Sequence, residues 1–523
     1  MTQPIVTLPS GRYVGVRNPS GTLTFQNIPY GTFRGRWKPL GPVEPGDERH
    51  DASRPGPACP QIPFGPYPQC QAEYDEAACF TLSVSTADLG GKKPVYVYIH
   101  GGANVSGGYF DPRIQTAGFV DRHPDLVCVT FNYRLGILGT LCLDGLTDES
   151  AYRHSGNLST LDQIAALEWV RQNIAAFGGD ADNVTIGGQS SGCASVKQLF
   201  LVPRAWPLFR RAICQSGTTL SRSRPLTGPE ARAAAARTFD ALGGDSLEGL
   251  LGLDTARLLS VSPFELGLAA VEDDITLPTG MNERLCGGDE AALVRGKDIL
   301  IGCMNGDMDG FAQDADSLER TKAVSRREIA EMLQSMPQGV AELYVKQILP
   351  GVSDVPAAAR RLRAYTEGDA ERLFELYSEK CPGEEPFLLV SDCLNDFLMY
   401  NPLALESSGL CKHNNVYLYL WDWAPKSLLP RRAVHAMDVP FVFAAPHDLG
   451  ALPEEERREA EAMYAVTARV WGDFLRTGIP DPTARPFAPD TMPTLRLDRI
   501  TRTEDDPRRV SRICLTEWLR EQK

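Results

Sequence analysis

The run NVTIGGQSSGCASVKQLF, from Asn183 to Phe200, constrains this chain more than any other segment. Its β-branched start predicts a strand, Gly188-Gln189-Ser190-Ser191-Gly192 a turn, and the residues from about Cys193 a helix. A G-x-S-x-G turn between strand and helix is a nucleophile elbow. Glycines on either side of the serine let neighbouring backbones pack closely around a strained turn, so the hydroxyl stands exposed above a sheet. The helix that follows points its N-terminal N–H groups at the same place, where they favour developing negative charge. As a bare pattern the motif is also compatible with a small-residue turn; the strand and helix around it carry the assignment.

Such an elbow demands an α/β fold, and other segments meet the demand. Short apolar runs bounded by Gly, Pro or Asp predict strands buried on both faces: PVYVYIH at 94–100, LVCVTFN at 126–132, NVTIG at 183–187, RRAICQ at 210–215, DILIGC at 298–303 and NVYLYLW at 415–421. Between them Leu161, Ile164, Leu167, Val170, Ile174 and Phe177 recur at the three- and four-residue spacing of one helix face. Strands alternating with helices predict a mainly parallel central sheet flanked by helices. The stretches at about 220–297 and 315–410, with runs such as GPEARAAAARTFDAL and SRREIAEMLQSM, predict helical insertions over the active-site edge. No repeat or linker tract divides the chain, so residues 1–523 are expected to form a single domain.

An acyl-transfer nucleophile needs oxyanion donors and a base. Upstream, the strand ending at His100 runs into Gly101-Gly102-Ala103, small residues whose backbone N–H groups can approach a substrate; the N–H of Ser191 would complete the hole. In this architecture the chain order is nucleophile, acid, histidine. Of seven histidines, His50, His100, His123 and His154 precede Ser190, leaving His413, His435 and His447. His413 sits at the wrong end of the 415–421 strand and His447 lies beyond a further apolar run, which selects His435. The acid should follow the DILIGC strand, where MNGDMDGF offers both Asp307 and Asp309.

Composition narrows the alternatives. Asp and Glu number 67 against 53 Lys and Arg, and the resulting charge of −14 repels phosphate backbones and anionic membrane surfaces, so nucleic acid is not expected as a partner. No run reaches the length of a membrane span and the start carries no export signal, which predicts a cytoplasmic protein. The 13 cysteines form no CxxC pair or zinc-spaced cluster; neither metal nor cofactor is implied, and the cysteines are expected to be reduced thiols, with only Cys59, Cys70 and Cys79 close enough in sequence to invite a bridge.

Together these segments resemble the type B carboxylesterase family, which contains cholinesterases and bacterial para-nitrobenzyl esterases. The resemblance runs from FQNIPYG at 25–31 through YIHGGA, FNYRLGILG at 131–139, the stretch from Gly156 to Gly192, ICQSG at 213–217 and VHAMDVPFVF, to WGDFLRTGIPDP at 471–482. It implies an α/β-hydrolase fold, with nucleophile Ser190, histidine His435 and oxyanion donors Gly102, Ala103 and Ser191. For the acid, counting five residues from Gly302 selects Asp307, whereas matching the acidic residue before a glycine selects Asp309 with a two-residue insertion. Gln189 stands where many relatives have Glu, and Ser191 where they have Ala. Cys59 and Cys79 resemble a pair bridged in exported relatives; here they are expected to stay reduced.

The expected activity is serine carboxylic-ester hydrolysis of a small-molecule ester through an acyl-enzyme intermediate. A thioester, amide or lactone would suit the same triad, since triad chemistry does not choose the leaving group. A non-catalytic binding module of this fold is the other alternative, and the presence of both Ser190 and His435 weighs against it.

Overall fold

A computed structural model describes residues 3–62, 73–147, 149–220, 224–244, 246–309, 318–349, 351–427, 432–445 and 452–521. The strands are β1 (Ile5–Leu8), β2 (Gly11–Val14), β3 (Val16–Arg17), β4 (Leu23–Pro29), β5 (Arg49–Asp51), β6 (Thr81–Thr86), β7 (Lys93–Ile99), β8 (Val127–Phe131), β9 (Gly179–Gln189), β10 (Arg211–Gln215), β11 (Asp298–Met304), β12 (Asn415–Trp421), β13 (Pro493–Leu497) and β14 (Arg502–Asp505). Eleven of them make a large mixed sheet, while β1, β2 and β5 form a small one of their own. The chain divides into two compact units. The first comprises Met1–Ile213, Ser223–Met281 and Val442–Ala445; the second comprises Cys214–Arg222, Asn282–Phe441 and Pro446–Lys523.

In the first unit β7 lies parallel to both β8 and β9, with Val95 opposite Val127 on one side and Val184 on the other. All five residues of β8 are buried, as are the last five of β7, which is why these strands are continuous apolar runs in the sequence. Beyond β8 the pairing becomes antiparallel, β6 against β8, β4 against β6 and β3 against β4. No apolar run announces β6: its sequence TLSVST is wholly buried, yet four of its six residues are polar. Its Ser85 hydroxyl is satisfied by Thr24 at 3.0 Å and Thr116 at 2.8 Å, so the strand is buried without orphaned hydroxyl groups at that position.

The helix Leu158–Asn173 buries Leu158, Ile164, Leu167 and Val170, and Phe177 meets Phe25 edge-on at 5.3 Å. The expected continuation to Phe177 is a tighter 3₁₀ turn, Ile174–Phe177, closed by Gly178 at φ +77. A side chain at Gly178 would be strained by that φ and would put its Cβ 2.3 Å from the Gly90 carbonyl. Within the first expected insertion, the helix Gly228–Leu242 starts with a capping box of Thr227 and Glu230 and packs Ala235, Phe239 and Leu242 against Trp37, Ile137 and Leu141.

In the second unit β11, β12 and β13 run parallel, with Leu300 opposite Tyr417 and Leu418 opposite Thr494, and β14 closes antiparallel on β13. The described elements of the second expected insertion are all helices, including Leu318–Ser335, Gln338–Ile348, Ala370–Lys380, Pro386–Asn395 and Asn401–Leu410. The helix Glu454–Thr477 sets Trp471 edge-on to Tyr419 at 5.7 Å and ends on Gly478 at φ +84.

Candidate active site

The first unit contains the elbow and the glycine loop. Ser190 has φ 60 and ψ −127 and joins β9 to the helix Ser191–Leu199. The crowding expected of the flanking glycines is present: a Cβ on Gly192 would lie 2.2 Å from the Ile99 carbonyl oxygen, and one on Gly188 would lie 2.5 Å from the Gly192 carbonyl. Neither position can carry a side chain while the helix keeps this contact with β7.

Where β7 ends, the chain enters the loop His100–Asn104. Gly102, Ala103 and Asn104 have φ of 108, 58 and 59, so three successive residues occupy the left-handed region, two of them without glycine's freedom. A Cβ on Gly101 would lie 3.1 Å from that of Ser190, which shows how closely loop and elbow abut. The His100 ring stacks on Tyr133 at 4.4 Å, and its Nδ1 lies 2.8 Å from the Gly101 carbonyl oxygen. Burial lowers the His100 pKa to about 4, so this imidazole is neutral near pH 7 and serves the loop rather than proton transfer.

The second unit contains the acid and the histidine. Asp307 follows β11, and its Oδ1 lies 2.5 Å from His435 Nδ1. Within the acid loop Met304 N–H donates to Asp307 Oδ2 at 2.9 Å, and two backbone bonds join this loop to that of the histidine: His435 N–H to the Asp307 carbonyl at 3.1 Å and Gly306 N–H to the Ala433 carbonyl at 2.8 Å. Asp307 is fully buried, whereas 12% of the His435 side chain is exposed. A carboxylate accepting from Nδ1–H leaves Nε2 as the ring's basic nitrogen.

Asp309 is directed elsewhere. Its carboxylate accepts from the Ser391 hydroxyl and, at 2.8 Å, from Asn395 Nδ2, with Arg432 Nε at 3.9 Å. Burial raises its pKa, while Arg432 and the two hydrogen bonds oppose the rise. Arg432 also donates to the Asn305 carbonyl at 2.9 Å, so this cluster braces the loop that carries Asp307. His413 Nε2 lies 3.1 Å from the Gly288 carbonyl oxygen, a turn contact before β12, and His447 falls outside the described residues.

A third carboxylate, Asp438, went unnoticed in the sequence. It is fully buried at the start of the helix Asp438–Val442 and accepts from Gln215 Nε2 at 2.7 Å. Burial raises its pKa to about 6, and the Asp307 charge adds to the rise while Gln215 and His435 oppose it. An acidic residue embedded in the apolar run HAMDVPFVF was the available signal. Among the described residues, no group of three or more His, Cys, Asp or Glu could hold a metal ion. No described cysteine takes part in a disulfide, and the Cys59 and Cys79 sulfurs lie 2.9 Å apart without a bond.

The model of the carboxylesterase family matches residues 2–511. Para-nitrobenzyl esterase of Bacillus subtilis (strain 168) is 28% identical over 535 aligned residues, covering 97% of each chain. "Probable N-octanoylanthranilate hydrolase AqdA2" of Rhodococcus erythropolis is 40% identical over 218 residues, covering 40% of this chain and 46% of its own. Among solved structures, a PNB esterase superposes with a TM-score of 0.76 at 27% identity, covering 98% of this chain and all of the other.

Proposed function

The chain belongs to the carboxylesterase family, has the α/β-hydrolase fold and is a serine carboxylic-ester hydrolase; from that premise we propose that Ser190 is its nucleophile, His435 its general base and Asp307 the acid of the triad. His435 Nε2 takes the Ser190 proton as the oxygen attacks the ester carbonyl. The N–H groups of Gly102, Ala103 and Ser191 stabilise the tetrahedral oxyanion. His435 then returns the proton to the leaving alcohol, and water releases the acid product by the same route. Asp307 keeps the imidazole in the Nδ1–H tautomer and offsets the charge of the transient imidazolium.

The observation that supports Asp307 over Asp309 is the 2.5 Å separation between Asp307 Oδ1 and His435 Nδ1, set beside the Ser391 and Asn395 contacts of Asp309. The test is hydrolysis of para-nitrophenyl esters from acetate to octanoate by the wild type and by Ser190→Ala, Asp307→Asn and Asp309→Asn. Ser190→Ala should lower kcat by about 10⁶-fold and Asp307→Asn by about 10⁴-fold, the losses seen when triad members are removed, and Asp309→Asn by far less. Full activity in Ser190→Ala, or a collapse in Asp309→Asn alone, would overturn the assignment.

The 40% identity to a relative named for hydrolysis of an N-acyl anthranilate favours a second reading, in which aryl amides are substrates of the same serine. Cleavage of an N-octanoyl anilide at a rate abolished by Ser190→Ala would support it. We also propose that the enzyme works in the cytoplasm: every described cysteine is unbridged, as a reducing compartment requires, and no helix among the described residues is long and apolar enough to cross a membrane.

A further inference from the structure

The loop that carries two of the three oxyanion donors is strained, with φ positive at Gly102, Ala103 and Asn104 in succession. Non-glycine residues keep such a conformation only where their surroundings over-determine it. In the first unit that restraint comes from a buried line of hydroxyl groups. At the far end of the loop, Asn104 N–H donates to Ser191 Oγ at 3.1 Å. At its near end, Tyr133 O–H donates to the His100 carbonyl at 2.7 Å. The two hydroxyls are neighbours: Ser191 favours the Tyr133 phenolate and works against the strong rise imposed by burial. Each end of the loop is therefore tied to a buried hydroxyl, Asn104 N–H to Ser191 and His100 C=O to Tyr133.

We propose that Ser191 Oγ and Tyr133 Oη form a clamp joining both ends of the His100–Asn104 loop and holding the Gly102 and Ala103 N–H groups in their aim. Both are positioning residues for acyl transfer, acting through the loop and not on the substrate. Ser191 then has two separate functions, its backbone N–H as an oxyanion donor and its side chain as the keeper of the other two donors. Tyr133 is fully buried and Ser191 is 2% exposed, so water cannot readily replace either link. The Asn104 carbonyl is held independently by Gly136 N–H at 2.6 Å, which lets the loop stay folded when the clamp is cut. The inference rests on the reading of Ser190 as nucleophile and of these N–H groups as oxyanion donors.

Donor aim matters once negative charge has developed, so loosening the clamp should lower kcat and leave KM nearly untouched. The experiment compares the wild type, Ser191→Ala, Tyr133→Phe and the double variant on para-nitrophenyl acetate. Inhibition is measured in parallel with an alkyl trifluoromethyl ketone, which adds Ser190 Oγ to its carbonyl carbon and presents a tetrahedral oxyanion. Each single variant should lose about tenfold in kcat and bind the ketone about tenfold more weakly, with KM within about twofold. The double variant should lose more than either single one, because each hydroxyl holds its own end of the loop. Wild-type kcat and ketone affinity in Ser191→Ala, or a double variant no worse than Tyr133→Phe alone, would overturn the clamp. If Tyr133→Phe does not fold, the comparison of kcat, KM and ketone affinity in Ser191→Ala decides alone. Ser190→Ala is run alongside: activity retained there defeats the nucleophile assignment, whereas inactive Ser190→Ala beside wild-type-like Ser191→Ala defeats only the clamp.

Discussion

Asp307 and Asp309 share one loop, yet their surroundings separate them. Asp307 meets His435, while Asp309 is held by Ser391, Asn395 and Arg432. Substituting each by asparagine should therefore split activity from stability. Asp307→Asn should cost most of kcat with little change in unfolding midpoint, and Asp309→Asn should cost about 1 to 3 kcal/mol of stability while most activity is kept, because buried donors lose a charged acceptor. Urea unfolding followed beside ester hydrolysis reads both. Asp438 gives a pH signature. Its folded pKa of about 6 stands above the unfolded carboxylate value, so the folded chain binds the extra proton; this stability is present at low pH and is lost as pH rises through about 6. Asp307, His435, Gln215 and Tyr419 face it, and none of them is altered in Asp438→Asn. Relative to the wild type, that variant should gain about 1 kcal/mol between pH 5 and pH 7.5. A difference that does not change with pH would show that Asp438 does not titrate there. The His100 imidazole, with its pKa down at about 4, pulls the wild-type profile the other way, which is why the comparison with the variant carries the prediction.

At the scale of elements, the parallel strands and the elbow were legible because burial on both faces leaves uninterrupted apolar runs. Observed β7, β8, β10, β11 and β12 fall within a residue of the expected segments, and β9 begins earlier, in the polar run Gly179–Asn183. What escaped were the antiparallel strands, together with β5 and β13, which pair in parallel with β2 and β12. β6 is buried but hydroxyl-rich, β4 carries a register irregularity between Phe25 and Ile28, and β14 is largely exposed, so none presents a clean period. The helix expected from Leu161 to Phe177 is interrupted at Asn173 by a tighter turn that the spacing of apolar residues does not distinguish. The elbow itself is a packing joint: at Gly192 a Cβ would strike the backbone of β7, which cannot move aside as a side-chain tip can. Gly192→Ala should cost about 2 to 3 kcal/mol and a larger fraction of kcat than of stability, since displacing the helix displaces Ser190. Unfolding and kinetics equal to the wild type would show that the contact with Ile99 is relaxed at no cost.

For the whole molecule, the charge of −14 sets a repulsive field toward polyanions, and the oxidation state of the cysteines in the isolated protein is a readout of the proposed compartment. Protein denatured without reductant and treated with iodoacetamide should take up 13 carbamidomethyl groups by mass spectrometry; 11 would place one disulfide in the purified chain, with Cys59 and Cys79 the adjacent pair. Long-range assembly also explains what sequence could and could not settle. Strand runs, elbow, glycine loop and the order serine, acid, histidine are local or ordinal properties, carried by residue type, spacing and chain order, and these alone determined the fold class and the identity of Ser190, Gly102 and Ala103 as candidates. The partner of His435 is 128 residues away, and Ser191 joins an amide 87 residues upstream. Such contacts depend on which loop ends arrive together when the strands pack. Tertiary structure therefore decided that Asp307 and not Asp309 faces the imidazole, that Asp438 is buried near them, and that a serine hydroxyl ties the loop, because burial and hydrogen-bond partners are properties of the assembled neighbourhood and not of the residues themselves.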